Sequence, residues 1–488
     1  MNELKLPDPV DLEKVRIDPA WLLRLPATLA MRRLILPLCV LEERLVVAMA
    51  DPSDVAAIEA VKRSCGHEVV AIRADQGQLR RHLLRILGDS RSAMPTSGGD
   101  DAVALADDIL RAAMLRQASD IHFDPGRDGL LVRLRVDGVL EDFMRLPTSI
   151  QPALSSRIKV MAGLDIAERR APQDGGFVWR MGGAAEAAPC DVRVATLPIR
   201  FGEKITMRLL ESGRDRLTLD ALGLSEEGLA SFARILDRPH GLVLLTGPTG
   251  SGKTTTLYAA IRRLLSQAEL NILTVEDPVE YEIGGVSQVE VDSGDKVNFA
   301  KALRSLLRHD PDVIMIGEIR DRESLDTAVK ASLTGHLVLS TLHTNDAVSA
   351  VTRLADMGLA AHMIAATLRL SAAQRLVRRL CPHCREGYAI SAAEAGALDR
   401  PALEGETAWR SQGCLCCAGR SLSGRTGIFE LMVPDTEVAS LIAASAPIGD
   451  IIACLRSQGV PSLADDAIRK VLAGETSIDE ILKITVDI

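Results

Sequence analysis

Val243-Leu-Leu-Thr-Gly-Pro-Thr-Gly-Ser-Gly-Lys-Thr-Thr-Thr256 stands at the middle of this 488-residue chain and points to its architecture. Gly247, Gly252, Lys253 and Thr254 fill the pattern G-x-x-x-x-G-K-[ST], in the context that the pattern needs. The apolar run 242–245 predicts a buried strand before it, and Leu257, Ile261, Leu264 and Leu265 recur at helical spacing after it. Glycines let such a loop fold tightly enough to aim several N–H groups at a polyphosphate, and the helix N-terminus adds partial positive charge. Lys253 then reaches the β- and γ-phosphates, while Thr254 offers a hydroxyl to Mg²⁺. Gly247, Pro248, Thr249, Gly250, Ser251, Gly252, Lys253, Thr254 and Thr255 are therefore the residues expected to hold a nucleoside triphosphate.

Downstream, a second strand over 271–275 runs into Glu276-Asp-Pro-Val-Glu280, which puts three acids where ligands of open α/β sheets bind. Mg²⁺ and an attacking water want that charge. A third strand over 312–316 ends in Gly317-Glu-Ile-Arg-Asp321. Phosphate-loop enzymes commonly close this strand with a metal-holding Asp. Gly317 has no side chain, so Glu318 takes the polar role, orienting or deprotonating water. A fourth strand over 336–342 is bracketed by His336 and His343, either of which can sense a γ-phosphate or simply cap the sheet. Strands alternating with helices predict a parallel sheet covered on both faces. Arg304 and Arg308, expected four apart on one helix, and Arg353 are surplus to one nucleotide pocket and suit a neighbouring subunit.

Upstream, residues 1–88 read as a small α/β module, a docking domain or a structural cap, with strands over 34–40 and 45–50 and helices over 55–63 and 78–86. No set of acids, His or Cys converges there. Small polar residues over 89–100 predict a linker. The middle α/β domain, 101–222, opens on an amphipathic helix and continues through strands over 118–123 and 130–136, a helix over 157–170, and strands over 191–197 and 203–210. The last two carry Arg193 and Arg208, which are either neutralisers of phosphate charge or solvated sheet residues. His122 reads as structural. The domain that carries the phosphate loop is expected over 223–380, and a helical bundle over 429–488.

Between them lies a segment, 381–428, with Cys381-Pro-His-Cys384 and Cys414-Leu-Cys-Cys417. Paired C-x-x-C knuckles bend around one tetrahedral ion, so Cys381, Cys384, Cys414 and Cys417 are the expected ligands of a closed, structural Zn²⁺ site; His383 and Cys416 stand close enough in sequence to compete. Clustered pairs also point to a reducing compartment rather than disulfides. The net charge of −9 and 3% aromatic residues weigh against a protein that coats nucleic acid. No signal peptide is expected from the first residues, and no apolar run is long enough to span a bilayer, so membrane contact is expected to be indirect.

Four stretches stand in fixed order: Gly247 to Thr256, Thr274-Val-Glu-Asp-Pro-Val-Glu-Tyr281, Leu307 to Asp321, and Ala331 to Ala347. With Ser119-Asp-Ile-His-Phe123 and Pro172-Gln-Asp-Gly175 they resemble the bacterial secretion and pilus-assembly ATPases, the GspE/PilB family, over most of 118–430. The resemblance implies a RecA-like P-loop core, a preceding PAS-like domain and a homo-hexameric ring. In that ring ATP is hydrolysed with Glu318 as catalytic acid, Glu276 and His343 at the site, and Arg193 and Arg208 reaching the nucleotide. It implies a cytoplasmic protein held peripherally at the inner membrane, docking through residues 1–88 on a GspL-like platform protein and driving a pseudopilus for type II secretion. The short segment before Asp101 favours that machine over pilus assembly. A DNA-translocating motor and a non-hydrolytic switch are the competing readings. Gly176, Ser421 and Leu422 depart from the family's usual Arg, Gly and Tyr.

Overall fold

The computed structural model describes residues 6–87, 100–181, 189–211, 218–267, 269–291 and 299–485. The linker expected over 89–100 lies, apart from Asp100, outside the described residues. The chain divides into two compact units: 1–213 with 381–386 and 411–423, and 214–380 with 387–410 and 424–488.

The first unit holds two sheets. β1 (Ile35–Leu41), β2 (Arg44–Met49) and β3 (Glu68–Arg73) form one, with β1 and β2 antiparallel and β2 and β3 parallel. Helices Val55–Cys65 and Gln76–Leu87 pack with it, and Asp54 caps the first by accepting from Ala57 N. The strand β3 had no counterpart in the sequence reading. Its Glu-Val-Val-Ala-Ile-Arg run is mostly half-buried and has charged residues at both ends, unlike the buried runs of β1 and β2.

The second sheet runs in the order β6-β5-β4-β9-β8-β7 and is antiparallel at every pairing, from β4 (Ala118–Gly126), β5 (Gly129–Val136) and β6 (Val139–Leu146) to β7 (Gln173–Arg180), β8 (Pro189–Ile199) and β9 (Gly202–Glu211). β5 alternates strictly between buried and half-buried residues, the signature of a sheet with one face on a core. That core is shared with Ile109, Leu110 and Ala113 of helix Asp100–Leu115. The helix expected over 157–170 instead spans Gln151–Met161, with Pro152 in its first turn. Gly163 follows in the left-handed region, with its φ at 69°, and ends the helix.

The second unit is built on a seven-stranded sheet. It contains β10 (Gly241–Thr246), β11 (Ile272–Glu276), β12 (Ser287–Glu290), β13 (Val313–Ile316), β14 (Leu337–Leu342) and β15 (Leu368–Leu380). Beyond the two-stranded pair β16 (Arg385–Ala389) and β17 (Thr407–Ser411), it is completed by β18 (Leu422–Met432), in the order β12-β11-β13-β14-β10-β15-β18. β10 pairs in parallel with β14 and β15, and β13 with β11 and β14. Every residue of β10 is buried. Leu242 and Leu244 enter one core and Val243 and Leu245 the other, so the sheet is covered on both faces, as the alternation of strands and helices predicts. Residues 429–432, expected to be helical, are the end of β18, whose Ile428-Phe429 pair is buried in the sheet. Helices follow from Thr436.

Candidate active site and four-cysteine centre

β10, β11, β13 and β14 are parallel and in register, so their carboxyl ends share one edge. Thr246, Glu276, Gly317-Glu318 and His343 therefore arrive together, where doubly wound sheets bind ligands. Helix Lys253–Gln267 begins directly after the glycine-rich loop. The glycines are demanded by space. A Cβ on Gly247, whose φ is 143°, would meet the Gln374 carbonyl oxygen at 2.6 Å, and one on Gly252, at φ 90°, would meet Gln374 Nε2 at 2.8 Å. Pro248, Thr249 and Gly250 are exposed, Ser251 and Lys253 are buried, and Thr254 and Thr255 are half-buried in the first turn of the helix.

Lys253 Nζ donates to the carbonyl oxygens of Gly247 and Pro248 at 2.7 and 3.0 Å. Burial, with the Arg375 guanidinium beside it, pushes this ammonium down to about 8. A polyphosphate reverses both effects by supplying the missing counter-charge.

Glu318 lies between two donors. Arg320 Nε pairs with its Oε1, and His343 Nε2 stands 3.3 Å from its Oε2. Burial first, then the positive charges of Lys253 and Arg320, hold His343 below the ordinary imidazole range. At neutral pH the ring is therefore uncharged, and with its proton on Nε2 it donates to the carboxylate. Glu318 keeps 24% of its side chain exposed, enough to meet water. His336 lies at the opposite, amino end of β14, with Nδ1 2.9 Å from the Ala331 carbonyl oxygen, so of the two histidines only His343 is at this edge.

Glu276 is 3% exposed, and its oxygens are engaged by protein: Thr274 Oγ1 donates to Oε1 at 2.7 Å, Gln288 Nε2 to Oε1 at 3.1 Å, and the Tyr258 hydroxyl to Oε2. Asp277, by contrast, is exposed and pairs with Arg320 at 3.3 Å. Tyr258, Gln288, Gln374, Arg375 and Arg320 were not singled out from the sequence. Arg320 lies inside the quoted run from Leu307 and carried a readable signal. Gln374 and Arg375 sit on β15, whose Gln-Arg-Leu-Val-Arg-Arg run gives no strand alternation; Thr256 Oγ1 donates to Gln374 Oε1 at 2.8 Å.

Arg193 and Arg208 are carried by the first unit, directly opposite each other on β8 and β9. Arg208 Nε donates to Asp120 at 3.2 Å and its side chain stays 62% exposed. His122 is half-buried with Nδ1 3.3 Å from Thr206 Oγ1, in keeping with a structural role. Arg304 pairs with Glu323 at 2.9 Å, but Arg308 lies past the end of helix Phe299–Leu306 rather than on its face.

The sulfurs of Cys381, Cys384, Cys414 and Cys417 all lie within 4.8 Å of one another. Three of the separations are 3.8, 4.0 and 3.8 Å. Four thiolates at ~2.3 Å around a tetrahedral ion stand roughly 3.8 Å apart, so the donor set and its spacing fit Zn²⁺. Burial pushes the Cys381 thiol up to about 11 and raises that of Cys384 as well. Burial also opposes ionisation of Cys414, but N–H groups of Cys417 and Cys416 outweigh it and hold that thiol low. An ion entering here must displace protons. His383 and Cys416 are not members of the cluster.

The profile of the family described as "Type II/IV secretion system protein" matches residues 98–483, and that of the MshEN domain matches residues 4–93. The Type II secretion system protein HxcR of Pseudomonas aeruginosa is 47% identical over 394 residues, covering 81% of this chain and 79% of the relative. The Type II secretion system protein E of the same organism is 42% identical over 489 residues, covering 95% and 96%. Among solved structures, the ATPase DotB of Legionella pneumophila superposes with a TM-score of 0.59 at 23% identity, over 81% of this chain and 97% of that one, and supports the fold. Among the described residues no helix is long and apolar enough to cross a membrane.

Proposed function

The chain belongs to the Type II/IV secretion system protein family and is an ATPase of that family, and on that premise we propose that it powers a type II secretion machine by in-line attack of water on the γ-phosphate of ATP. Loop N–H groups and Lys253 hold the phosphates, and Thr254 offers its hydroxyl to Mg²⁺. Glu318 orients and deprotonates the attacking water. His343, neutral and hydrogen-bonded to Glu318, senses the γ-phosphate. Glu276 would supply negative charge to Mg²⁺, with its orientation set by Tyr258, Thr274 and Gln288. Arg193 and Arg208 neutralise charge that spreads onto the equatorial oxygens in the transition state.

The observation that carries this reading is Glu318 at the carboxyl edge of the sheet, the edge that also carries the glycine-rich loop, with His343 Nε2 3.3 Å from its carboxylate. In the cell the chain works as a homo-hexamer, docked through residues 1–88 on the cytoplasmic part of an inner-membrane platform protein and so held peripherally at that membrane. Cys381, Cys384, Cys414 and Cys417 hold Zn²⁺, which closes and stiffens the two knuckles and takes no part in hydrolysis. Relatives named as type II secretion proteins E and R favour export over pilus assembly.

The test is steady-state phosphate release by the purified chain with either the platform protein's cytoplasmic domain or duplex DNA added. Stimulation by the platform domain, lost on deleting residues 1–88, is expected. Stimulation by DNA alone, with salt-sensitive binding, would replace this reading with a nucleic-acid motor.

A further inference from the structure

The second knuckle faces the start of the chain. Leu415, which lies between the expected ligands Cys414 and Cys417, is 5% exposed, and Ala418, one residue past Cys417, is 9% exposed; both belong to the same apolar core as Val10, Leu12, Leu38 and Leu45. The Leu415 carbonyl oxygen accepts from Arg16 N at 3.0 Å. Gly419 lies so close to β1 that a Cβ on it would stand 2.4 Å from the Val40 carbonyl oxygen. One residue on, Arg420 reaches Glu141 of β6 at 3.5 Å; Arg116 approaches the same carboxylate at 3.8 Å and grips Asp18 at 2.6 Å. Residues from the N-terminal module, the middle domain and the knuckle thus meet in one largely buried polar junction.

The shape of this face depends on the cysteines. Leu415–Cys417 is a single short turn, held by Cys417 N and Gly419 N donating to the Cys414 carbonyl oxygen at 3.3 and 2.9 Å, with Ala418 forced to a φ of 54°. An alanine in the left-handed region costs about 1 kcal/mol or more, and so short a turn has little of its own to hold it there. Four sulfurs bound to one ion would fix Cys414 and Cys417, and so fix Leu415, Ala418 and Gly419 between and beside them.

We propose that the four-cysteine centre is a metal-dependent clasp for the N-terminal module of the same chain: ion binding moulds residues 414–420 into the docking face on which residues 10–41 sit, and loss of the ion releases that module. This rests on the reading of the cysteines as a metal site, and goes beyond it in assigning the ion an interdomain partner. The consequence is that the module expected to meet the platform is held or freed by the occupancy of a site about 370 residues away in sequence.

The experiment is amide hydrogen exchange of the full chain, without nucleotide, before and after stripping with a Zn²⁺ chelator and after restoring Zn²⁺, with metal content measured alongside. Exchange within residues 10–41 is expected to rise about tenfold or more on stripping and to return on restoration, while β10 and β11 stay protected. A Gly419→Val chain keeps all four cysteines, so it should retain one metal ion per chain yet show the fast exchange. Metal lost with exchange at 10–41 unchanged overturns the clasp and leaves the metal site standing. A purified chain with no stoichiometric metal, and none taken up on titration with Zn²⁺, overturns both.

Discussion

The carboxyl edge of the seven-stranded sheet and the four-cysteine centre each gather polar side chains from distant parts of the chain, but they hold them in opposite ways. At the sheet edge the groups are bound by exchangeable links: Lys253 rests on two carbonyl oxygens of its own loop, and Glu318 is shared between Arg320 and His343. An incoming triphosphate, metal and water can take over each of those partners. At the cysteine centre the four sulfurs converge on one another at near-tetrahedral spacing, the donor set of a closed structural ion. One site is built to change partners during a cycle and the other to keep them, so a polar deletion should stop turnover at the first and undo structure at the second.

The largest expected effect that sharpens this contrast is at the loop. Lys253→Ala should lower kcat/KM for ATP by about 10³-fold or more, because the cation is lost from the β- and γ-phosphates. The far-ultraviolet circular dichroism should stay as in the parent, since among the described residues Lys253 donates to carbonyl oxygens of its own loop; a grossly unfolded variant would break the contrast. Cys384→Ser is the counterpart. It should weaken Zn²⁺ binding by more than about 100-fold in a competition titration and lower the thermal midpoint, and a variant of undiminished affinity would remove this cysteine from the site.

A smaller effect is expected at Tyr258, whose hydroxyl orients Glu276 from the helix that follows the loop. Tyr258→Phe should reduce kcat roughly tenfold with KM for ATP within about twofold, since Thr274 and Gln288 still hold the carboxylate. An equal rise in KM would instead mark a role in ground-state binding.

The smallest is a proton linkage. The free Lys253 ammonium sits at about 8, and bound phosphate raises it. Between those two values the free chain has lost a proton that the complex retains, so binding takes one up. ATP affinity should therefore hold below pH 8 and fall as pH rises above it, by at most about tenfold per unit. Calorimetry in buffers of different ionisation enthalpy measures that uptake, and none at pH 9 would contradict the assignment.

Much of the sheet edge was legible because its information is local. The run 242–245, the spacing of Gly247, Gly252 and Lys253, and the polar residues just past apolar strands each read within a dozen positions. The supporting residues were not. β15 carries Gln374 and Arg375, both nearly buried, in a stretch whose composition gives no strand pattern; tertiary contact with the loop overrides local preference there. Tyr258 looks like any member of an apolar helix face until Glu276 is placed beside it. The helix expected over 157–170 slid to Gln151–Met161 because boundaries depend on caps and turns more than on periodicity. The cysteine spacing announced the four-sulfur cluster but not its neighbour, since nothing local records that Leu415 and Ala418 complete the core around Leu12 and Leu38.

In the proposed hydrolysis Glu318 acts on the attacking water while the loop holds the nucleotide. Single-turnover phosphate release by a Glu318→Gln chain, with ATP affinity measured on the same preparation by a fluorescent analogue, tests it most directly. Affinity within about threefold of the parent and release slowed by about 10²-fold or more is the predicted result. Release at the parental rate with the nucleotide bound would contradict it.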